Sequence, residues 1–222
     1  MKNLLRITCF CALIFFYKNA DAQPNKPFYN DIQNFKKQDS IDPPPQHAVL
    51  FVGSSSFTKW KDAQDYFPGT KIINRGFGGS SLPDVIRYAG DIIFPYNPKQ
   101  VVIYCGDNDF VMSDTVTADV VISRVKKLFQ LIRNKLPDAN IAYVSIKPSP
   151  SRLRFMPKVE AANKAIKDFL ALQKNTAFVD VYPLMLGEDG RPIPSIFLGD
   201  SLHMNAKGYA IWKKAIGPYL LK

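Results

Sequence analysis

Three serines follow a glycine at the end of an apolar run, in the stretch FVGSSSFTKW that begins at Phe51. A serine hydroxyl is a poor nucleophile unless a base takes its proton, and histidine suits that task because its pKa lies near neutrality. Near the C-terminus, in GDSLHMNAKGY, Asp200 stands three residues before His203. A carboxylate on the second ring nitrogen of a histidine fixes its tautomer and stabilises the imidazolium. These residue types predict serine-based nucleophilic catalysis.

Other chemistries fit the sequence poorly. No G-x-x-x-x-G-K-[ST] phosphate loop is present, and GFGGSS has Ser81 where a dinucleotide fingerprint needs its third glycine. GSSSF is not a G-x-S-x-G nucleophile elbow, because Phe57 replaces the final glycine. Beyond residue 22, His47 and His203 are the only histidines and Cys105 is the only cysteine, too few for a closed zinc site of His and Cys, although a site built with carboxylates stays open. We therefore expect neither a metal nor another cofactor.

Short apolar runs alternate with helical patterns along most of the chain. The five runs, which predict five strands, are HAVLFVG, TKIIN, QVVIYCG, NIAYVSI and AFVDVY. Three helices have predicted N-caps, which are Ser56 after the first strand, Ser81 and Asn205. Strand–helix alternation predicts an α/β fold with a parallel sheet covered by helices on both faces. The GSSS, NRGFGGSS and GDND segments would follow strands one to three, at the edge where such sheets bind ligands.

The N-terminal residues read as a targeting segment followed by an arm. Residues 1–22 combine a basic start, a short apolar stretch and the triplet Ala20-Asp21-Ala22, which together predict a signal peptide cleaved after Ala22. We therefore expect export to the periplasm or beyond the cell, without stable membrane insertion of the mature chain. Residues 23–45 are predicted to form an arm with one short helix, ended by three prolines, and 46–222 the domain itself.

The charge of the chain limits its binding partners, and the cysteine content predicts the state of Cys105. The chain of 222 residues has 29 basic and 19 acidic residues, a formal net charge of +10. A basic surface suits anionic glycans, membrane surfaces or nucleic acid, but export and the lack of a nucleic-acid motif argue against the last. We expect a solvated basic surface and no nucleic-acid partner. Cys9 and Cys11 would leave with the signal peptide, so Cys105 is expected to be a buried free thiol.

Four segments together resemble the SGNH hydrolases, also called GDSL esterases and lipases, from about Ala48 to the end of the chain. FVGSSS stands where the family usually has G-D-S, NRGFGGS contains the second block, GDND matches G-x-N-D, and DSLH matches D-x-x-H. The resemblance implies a flavodoxin-like, three-layer α/β/α sandwich with a five-stranded parallel sheet. It also implies an ester hydrolase that works through an acyl-enzyme and needs no cofactor.

The resemblance assigns roles to five residues. Ser55 would be the nucleophile, His203 the general base and Asp200 its orienting carboxylate. The backbone N–H groups of Ser55 and Gly79, with the Asn108 side-chain amide, would bind the oxyanion of the tetrahedral intermediate. The chain departs from the family at position 54, where Ser54 replaces the usual aspartate. Because that aspartate is not a triad member, we expect catalysis to survive the change.

The substrate is less constrained than the reaction. We expect a small-molecule or glycan ester with a short acyl chain, with O-acetylated carbohydrate first and a lysophospholipid-like lipid ester as the alternative. A non-catalytic glycan-binding module on a degenerate hydrolase fold is a third interpretation. No substrate-binding residue stands out. Arg152 and Arg154 are expected to be solvated, with substrate contact as the alternative. His47 is expected to be structural or exposed, and Trp60 to pack in the core, with a sugar-binding platform as the alternative.

Overall fold

The computed structural model describes residues 26–222 and contains one five-stranded, wholly parallel sheet. Its strands are β1 Val49–Gly53, β2 Ile72–Gly76, β3 Gln100–Tyr104, β4 Asn140–Val144 and β5 Thr176–Val179. They lie side by side in the order β2-β1-β3-β4-β5. The chain moves outward from β1 to β2 and then crosses back to β3, so a crevice opens beyond the carboxyl ends of β1 and β3. The predicted parallel α/β fold is confirmed.

Helices cover both faces of the sheet. They are α1 Tyr29–Ile41, α2 Ser55–Thr58, α3 Ala63–Tyr66, α4 Leu82–Ile92, α5 Asp109–Met112, α6 Ala118–Lys135, α7 Met156–Ala171 and α8 Ala206–Ile216. Buried side chains of α1, α4, α6 and α7 form one core with Leu50 and Val52 of β1. Those of α3 and α8 form the second core with Val49 and Phe51, on the opposite face of the same strand. The three-layer sandwich therefore follows from apolar residues on both faces of each central strand.

Helix caps fix where the loops at the sheet edge end. Ser81 and Asp84 form a capping box at the start of α4, and the Asn205 side chain accepts hydrogen bonds from two backbone N–H groups of α8, as predicted. We also expected Ser56 to cap the helix after β1, and that prediction is wrong. Ser54 occupies the N-cap position, while Ser56 is buried inside α2. The reason is that the chain turns into the helix directly after Gly53.

The predicted arm helix is present as α1, which packs against α4. The Tyr88 hydroxyl of α4 donates a 2.8 Å hydrogen bond to the Pro27 carbonyl, and the Lys36 ammonium lies 2.6 Å from the Asp91 carboxylate. The predicted signal peptide lies outside the described residues. Among residues 26–222, no helix has the length and apolar character needed to cross a bilayer.

Three smaller predictions are confirmed. Cys105 is a buried free thiol, and burial raises the pKa of that thiol well above its ordinary value. His47 is exposed at the start of β1, at the opposite end of the strand from Ser55. Trp60 is fully buried and its ring stacks on that of Tyr209, so its role is packing.

Candidate active site

The structure brings Ser55, His203 and Asp200 together although 148 positions separate the serine from the histidine. The Ser55 Oγ lies 3.0 Å from His203 Nε2, and His203 Nδ1 lies 2.6 Å from Asp200 Oδ2. The other carboxylate oxygen of Asp200 accepts hydrogen bonds from the backbone N–H groups of Leu202 and His203. A base thus stands at hydrogen-bond distance from a serine, with a carboxylate on its second nitrogen.

Electrostatics favour an ionised Asp200. The hydrogen bond from the His203 side chain, with the two backbone N–H groups, holds the pKa of the Asp200 carboxyl well below its usual range. An ionised carboxylate keeps the proton of the imidazole on Nδ1, which leaves Nε2 free to accept the Ser55 proton. The His203 side chain is largely enclosed, with 17% of its surface exposed, whereas Asp200 is 47% exposed.

The loop that contains Asp200 and His203 is held rigidly before α8. The Leu198 N–H donates a 2.7 Å hydrogen bond to the His203 carbonyl, and Phe197 forms an isolated antiparallel bridge with Met204. The Asn205 side-chain amide donates to the carbonyls of Ser195 and Phe197. Asn205 therefore caps α8 and also fixes the loop, so that the imidazole stays aimed at Ser55.

A sharp turn at Gly53 positions the serine. Gly53 has a φ of +135°, and a Cβ there would lie 1.8 Å from the Tyr104 carbonyl oxygen. Only glycine fits this contact between the ends of β1 and β3. The Ser54 N–H donates to the same Tyr104 carbonyl, and the Phe77 N–H donates to the Gly53 carbonyl. These bonds tie the turn to both neighbouring strands, which places Ser55 at the first position of α2, partly exposed.

Two backbone N–H groups near the serine have no hydrogen-bond acceptor in the part of the chain that the structure describes. Within residues 26–222, neither the Ser55 N–H nor the Gly79 N–H donates a hydrogen bond. Gly79 is exposed and has a φ of +85°, a conformation that favours glycine. Its neighbour Ser80 is anchored beneath it, because the Ser80 hydroxyl donates to the Gly53 carbonyl at 3.1 Å. Free, fixed N–H donors beside a nucleophile are what a developing oxyanion requires.

The Asn108 amide lies in the same cluster, and Ser54 is its unexpected partner. Asn108 Nδ2 donates a 2.7 Å hydrogen bond to Ser54 Oγ and a 3.0 Å hydrogen bond to the Ser80 carbonyl. The hydroxyl that replaces the family's aspartate therefore accepts from the amide predicted to bind the oxyanion. A hydroxyl supplies that acceptor without placing a carboxylate at a site that is only 3% exposed.

Sequence reasoning missed Asp109, which follows Asn108 in the chain and fixes the turn that contains it. Asp109 is fully buried, accepts from the Leu82 N–H and pairs with Arg124 at 2.7 Å. Burial raises the pKa of the Asp109 carboxyl, while these two donors oppose the shift. The carboxylate thus joins the Asn108 turn to α4 and α6. The GDND segment contains this aspartate, so its position was the available signal.

Sequence reasoning also missed Phe28 in the arm. The Phe28 ring lies 3.8 Å from where a Cβ of Gly79 would stand, and it packs edge-on against Phe77 with centroids 5.2 Å apart. The arm was predicted only as a helix packed on the domain. No local pattern in the sequence indicates that its first residues border the Gly79 loop.

The two loop arginines differ from each other. The Arg154 guanidinium lies 4.5 Å from the centroid of the Phe155 ring, and Arg154 is exposed as expected. Arg152 is only partly exposed, and its Nε is buried without a hydrogen-bond acceptor in the part of the chain that the structure describes. Within residues 26–222, no group of three or more His, Cys, Asp or Glu side chains is arranged to hold a metal ion.

Comparison with known proteins adds independent findings. The sequence model of the GDSL-like lipase/acylhydrolase family matches residues 51–211. The human platelet-activating factor acetylhydrolase IB subunit alpha1 is 27% identical over 191 residues, which cover 83% of this chain and 79% of that protein. A GDSL-like lipase from Bacteroides thetaiotaomicron has the same fold, with a TM-score of 0.72 and 20% identity, over 85% of this chain and 96% of that one. A catalytic mutant of an acetylxylan esterase from Geobacillus stearothermophilus also shares the fold, with a TM-score of 0.62 and 15% identity, over 78% and 93% of the two chains.

Proposed function

The chain belongs to the GDSL-like lipase/acylhydrolase family and is a serine ester hydrolase, and we propose that it is an exported enzyme that removes short acyl groups. The observation that carries the proposal is the chain of contacts from Ser55 Oγ through both ring nitrogens of His203 to Asp200, at 3.0 and 2.6 Å. Beside it lie the N–H groups of Ser55 and Gly79, which donate to no acceptor among residues 26–222.

In the proposed first half-reaction, Ser55 Oγ attacks the ester carbonyl carbon while His203 Nε2 takes the serine proton. The negative charge that forms on the carbonyl oxygen is bound by the N–H groups of Ser55 and Gly79 and by the Asn108 amide. As the tetrahedral intermediate collapses, His203 gives the proton to the leaving alcohol and Ser55 remains acylated. Asp200 keeps the imidazole oriented and stabilises its positive charge throughout.

In the second half-reaction, water replaces Ser55 as the nucleophile and Ser55 becomes the leaving group. His203 takes a proton from water, the hydroxide attacks the acyl carbon, and the same donors bind the second oxyanion. When this intermediate collapses, Ser55 regains its proton and a carboxylic acid leaves. Every proton transfer is carried by His203, so the proposed mechanism needs no metal or cofactor.

Asn108 must reorganise for this reaction. Both of its amide hydrogens are engaged in the structure, one by Ser54 Oγ and one by the Ser80 carbonyl. We propose that the amide shares one of these hydrogens with the oxyanion when a substrate binds. A neutral hydroxyl is a weaker acceptor than a carboxylate, so Ser54 releases the amide more readily than an aspartate would.

For the substrate, an acetylated carbohydrate is our first proposal. The acetylxylan esterase among the structural neighbours supports it by name, and export would expose the enzyme to glycans. A lipid ester is the second candidate, supported by the platelet-activating factor acetylhydrolase relatives. Both names involve an acetyl group, which agrees with a short acyl chain. The aligned triad argues against a non-catalytic glycan-binding module.

The test is a panel of acetylated sugars, aryl acetates and acetylated lysolipids, with Ser55→Ala as the blank. We expect acetate release by the wild-type protein and none above background by the variant. Preference for the sugars would support the first substrate class, and preference for the lipids the second. If no acetate is released from any ester, the hydrolase proposal fails. Mass analysis of the protein recovered from its native host tests export, which predicts an N-terminus at Gln23.

A further inference from the structure

Arg152 differs from the arginines that have structural roles. Arginines 75, 87 and 124 each pair with an aspartate. Arg152 forms neither an ion pair nor a side-chain hydrogen bond with any residue from 26 to 222, and its Nε is buried without an acceptor. Leaving the buried Nε–H group without an acceptor is costly, because the lost hydration of that group is not replaced. An unpaired arginine of this kind is a candidate for binding a ligand.

The position of Arg152 is fixed relative to the triad. The N–H of the preceding residue, Ser151, donates a 3.0 Å hydrogen bond to the carbonyl of Ser201, which lies between Asp200 and His203 in the chain. The Arg152 N–H in turn donates to the Ser149 carbonyl at 3.0 Å. The loop after β4 is thus bound directly to the loop that contains His203.

A buried lysine provides a second cation at the same place. Lys147 is 2% exposed, its ammonium lies 3.7 Å from the Asp107 carboxylate, and Phe197 faces it with its ring centroid 5.8 Å away. Lys147 is within electrostatic reach of both Arg152 and Asp200. Lys147 therefore lies between the turn that contains Asn108 and the loop that contains His203.

The two carboxylates nearest to Lys147 and His203 each have a basic partner. Asp107 faces Lys147, and Asp200 faces His203. Arg152 is the charge left without a partner among these groups of the described chain. A negative group brought by a substrate would complete the pairing, and the planar guanidinium is suited to the two oxygens of a carboxylate or phosphate.

The position of His203 determines which part of the substrate lies near Arg152. His203 must protonate the leaving oxygen, so the alcohol portion of the ester lies on the His203 side of Ser55. The oxyanion donors Gly79 and Asn108 lie on other loops. Because the Arg152 loop is bonded to the His203 loop, Arg152 lies on the side of Ser55 from which the alcohol leaves.

We propose that Arg152 binds a carboxylate or phosphate on the alcohol portion of the substrate. This inference rests on the proposed function, and it narrows the substrate to acyl esters of acidic alcohols. A uronic acid would supply a carboxylate, and a glycerophosphate would supply a phosphate. The two sources share the same chemistry at Arg152 and are separated by the substrates of the test.

The test compares charged and neutral acetates of matched shape. The pairs are 4-acetoxybenzoate with its methyl ester, O-acetylgalacturonate with O-acetylgalactose, and acetylglycerol phosphate with acetylglycerol. We expect wild-type kcat/KM to favour the charged member of at least one pair by about tenfold, as for one charge-assisted hydrogen bond. Arg152→Gln should abolish that preference through KM and leave the neutral esters unchanged. Arg154→Gln, in the same loop but exposed, should preserve it.

Three other results would overturn either the inference about Arg152 or the proposed function. Equal loss on charged and neutral esters in Arg152→Gln, with a normal far-ultraviolet spectrum, would show a positioning role and overturn the inference. A wild-type enzyme that cleaves the neutral esters but shows no preference for any charged partner would also overturn it, while leaving the hydrolase intact. Failure to cleave any of the six esters would instead refute the proposed function.

Discussion

Replacing Asn108 by alanine should separate two roles of one amide. The variant loses an oxyanion donor, which typically costs about 2.7–4 kcal/mol in the transition state, so we expect kcat to fall by about 10²–10³-fold. It also loses the two hydrogen bonds to Ser54 Oγ and the Ser80 carbonyl. At about 0.5–1.5 kcal/mol each, these should lower the free energy of unfolding by roughly 1–3 kcal/mol.

Ser54→Ala is the matched control, because it removes one of those hydrogen bonds and keeps the donor. We expect a loss of about 1 kcal/mol in the free energy of unfolding and less than a tenfold loss in kcat. Hydrolysis of p-nitrophenyl acetate gives kcat and KM, and urea unfolding gives the stability of each variant. The reasoning is refuted if Asn108→Ala keeps kcat within about threefold of wild type, or if Ser54→Ala lowers kcat as much as Asn108→Ala does.

Two further predictions concern the arm and the triad carboxylate. Phe28→Ala should open the space beside Gly79 and raise kcat/KM for hexanoate over acetate esters by about tenfold. The control Phe35→Ala, inside α1, should leave that ratio unchanged. Equal ratios in both variants would contradict the placement of Phe28. Because its native pKa is depressed, ionised Asp200 contributes stability above its ordinary pKa of about 3.9, and that contribution is lost as pH falls through the native pKa. The advantage of wild type over Asp200→Asn in urea unfolding should therefore be present at neutral pH and shrink in acid, and a difference independent of pH would disprove it.

Much of the architecture follows from local patterns in the sequence. Apolar runs long enough for one strand, each followed by a polar loop, locate the sheet and its carboxyl edge. Ser81 and Asn205 are predictable caps because their side chains satisfy the first N–H groups of a helix regardless of the rest of the fold. The family blocks then identify which loops contain the reacting groups, and the structure brings three of those residues within hydrogen-bond distance.

Contacts between distant segments were not predictable in this way. The bond from Asn108 to Ser54 depends on how the ends of β1 and β3 meet, and a serine in a turn gives no sign of its acceptor. The contact of Phe28 with Gly79 depends on how the arm crosses α4. Arg152 was expected to be solvated, as arginines in loops usually are. The burial of its Nε was not predictable, because it depends on the path of the loop rather than on residue type. Ser56 was assigned as a cap because the sequence does not show that the N-cap of α2 lies two residues earlier, at Ser54.

Covalent labelling with a fluorophosphonate probe tests the central claim most directly, since such a probe reacts with a serine only where a base activates it. Mass analysis of the digested protein should find one adduct, on Ser55, and none in Ser55→Ala. His203→Ala should label far more slowly, because its serine has lost the base that lies 3.0 Å away. An unlabelled wild-type protein, or an adduct on Ser54 or Ser56 instead, would contradict the assignment of Ser55 as the nucleophile.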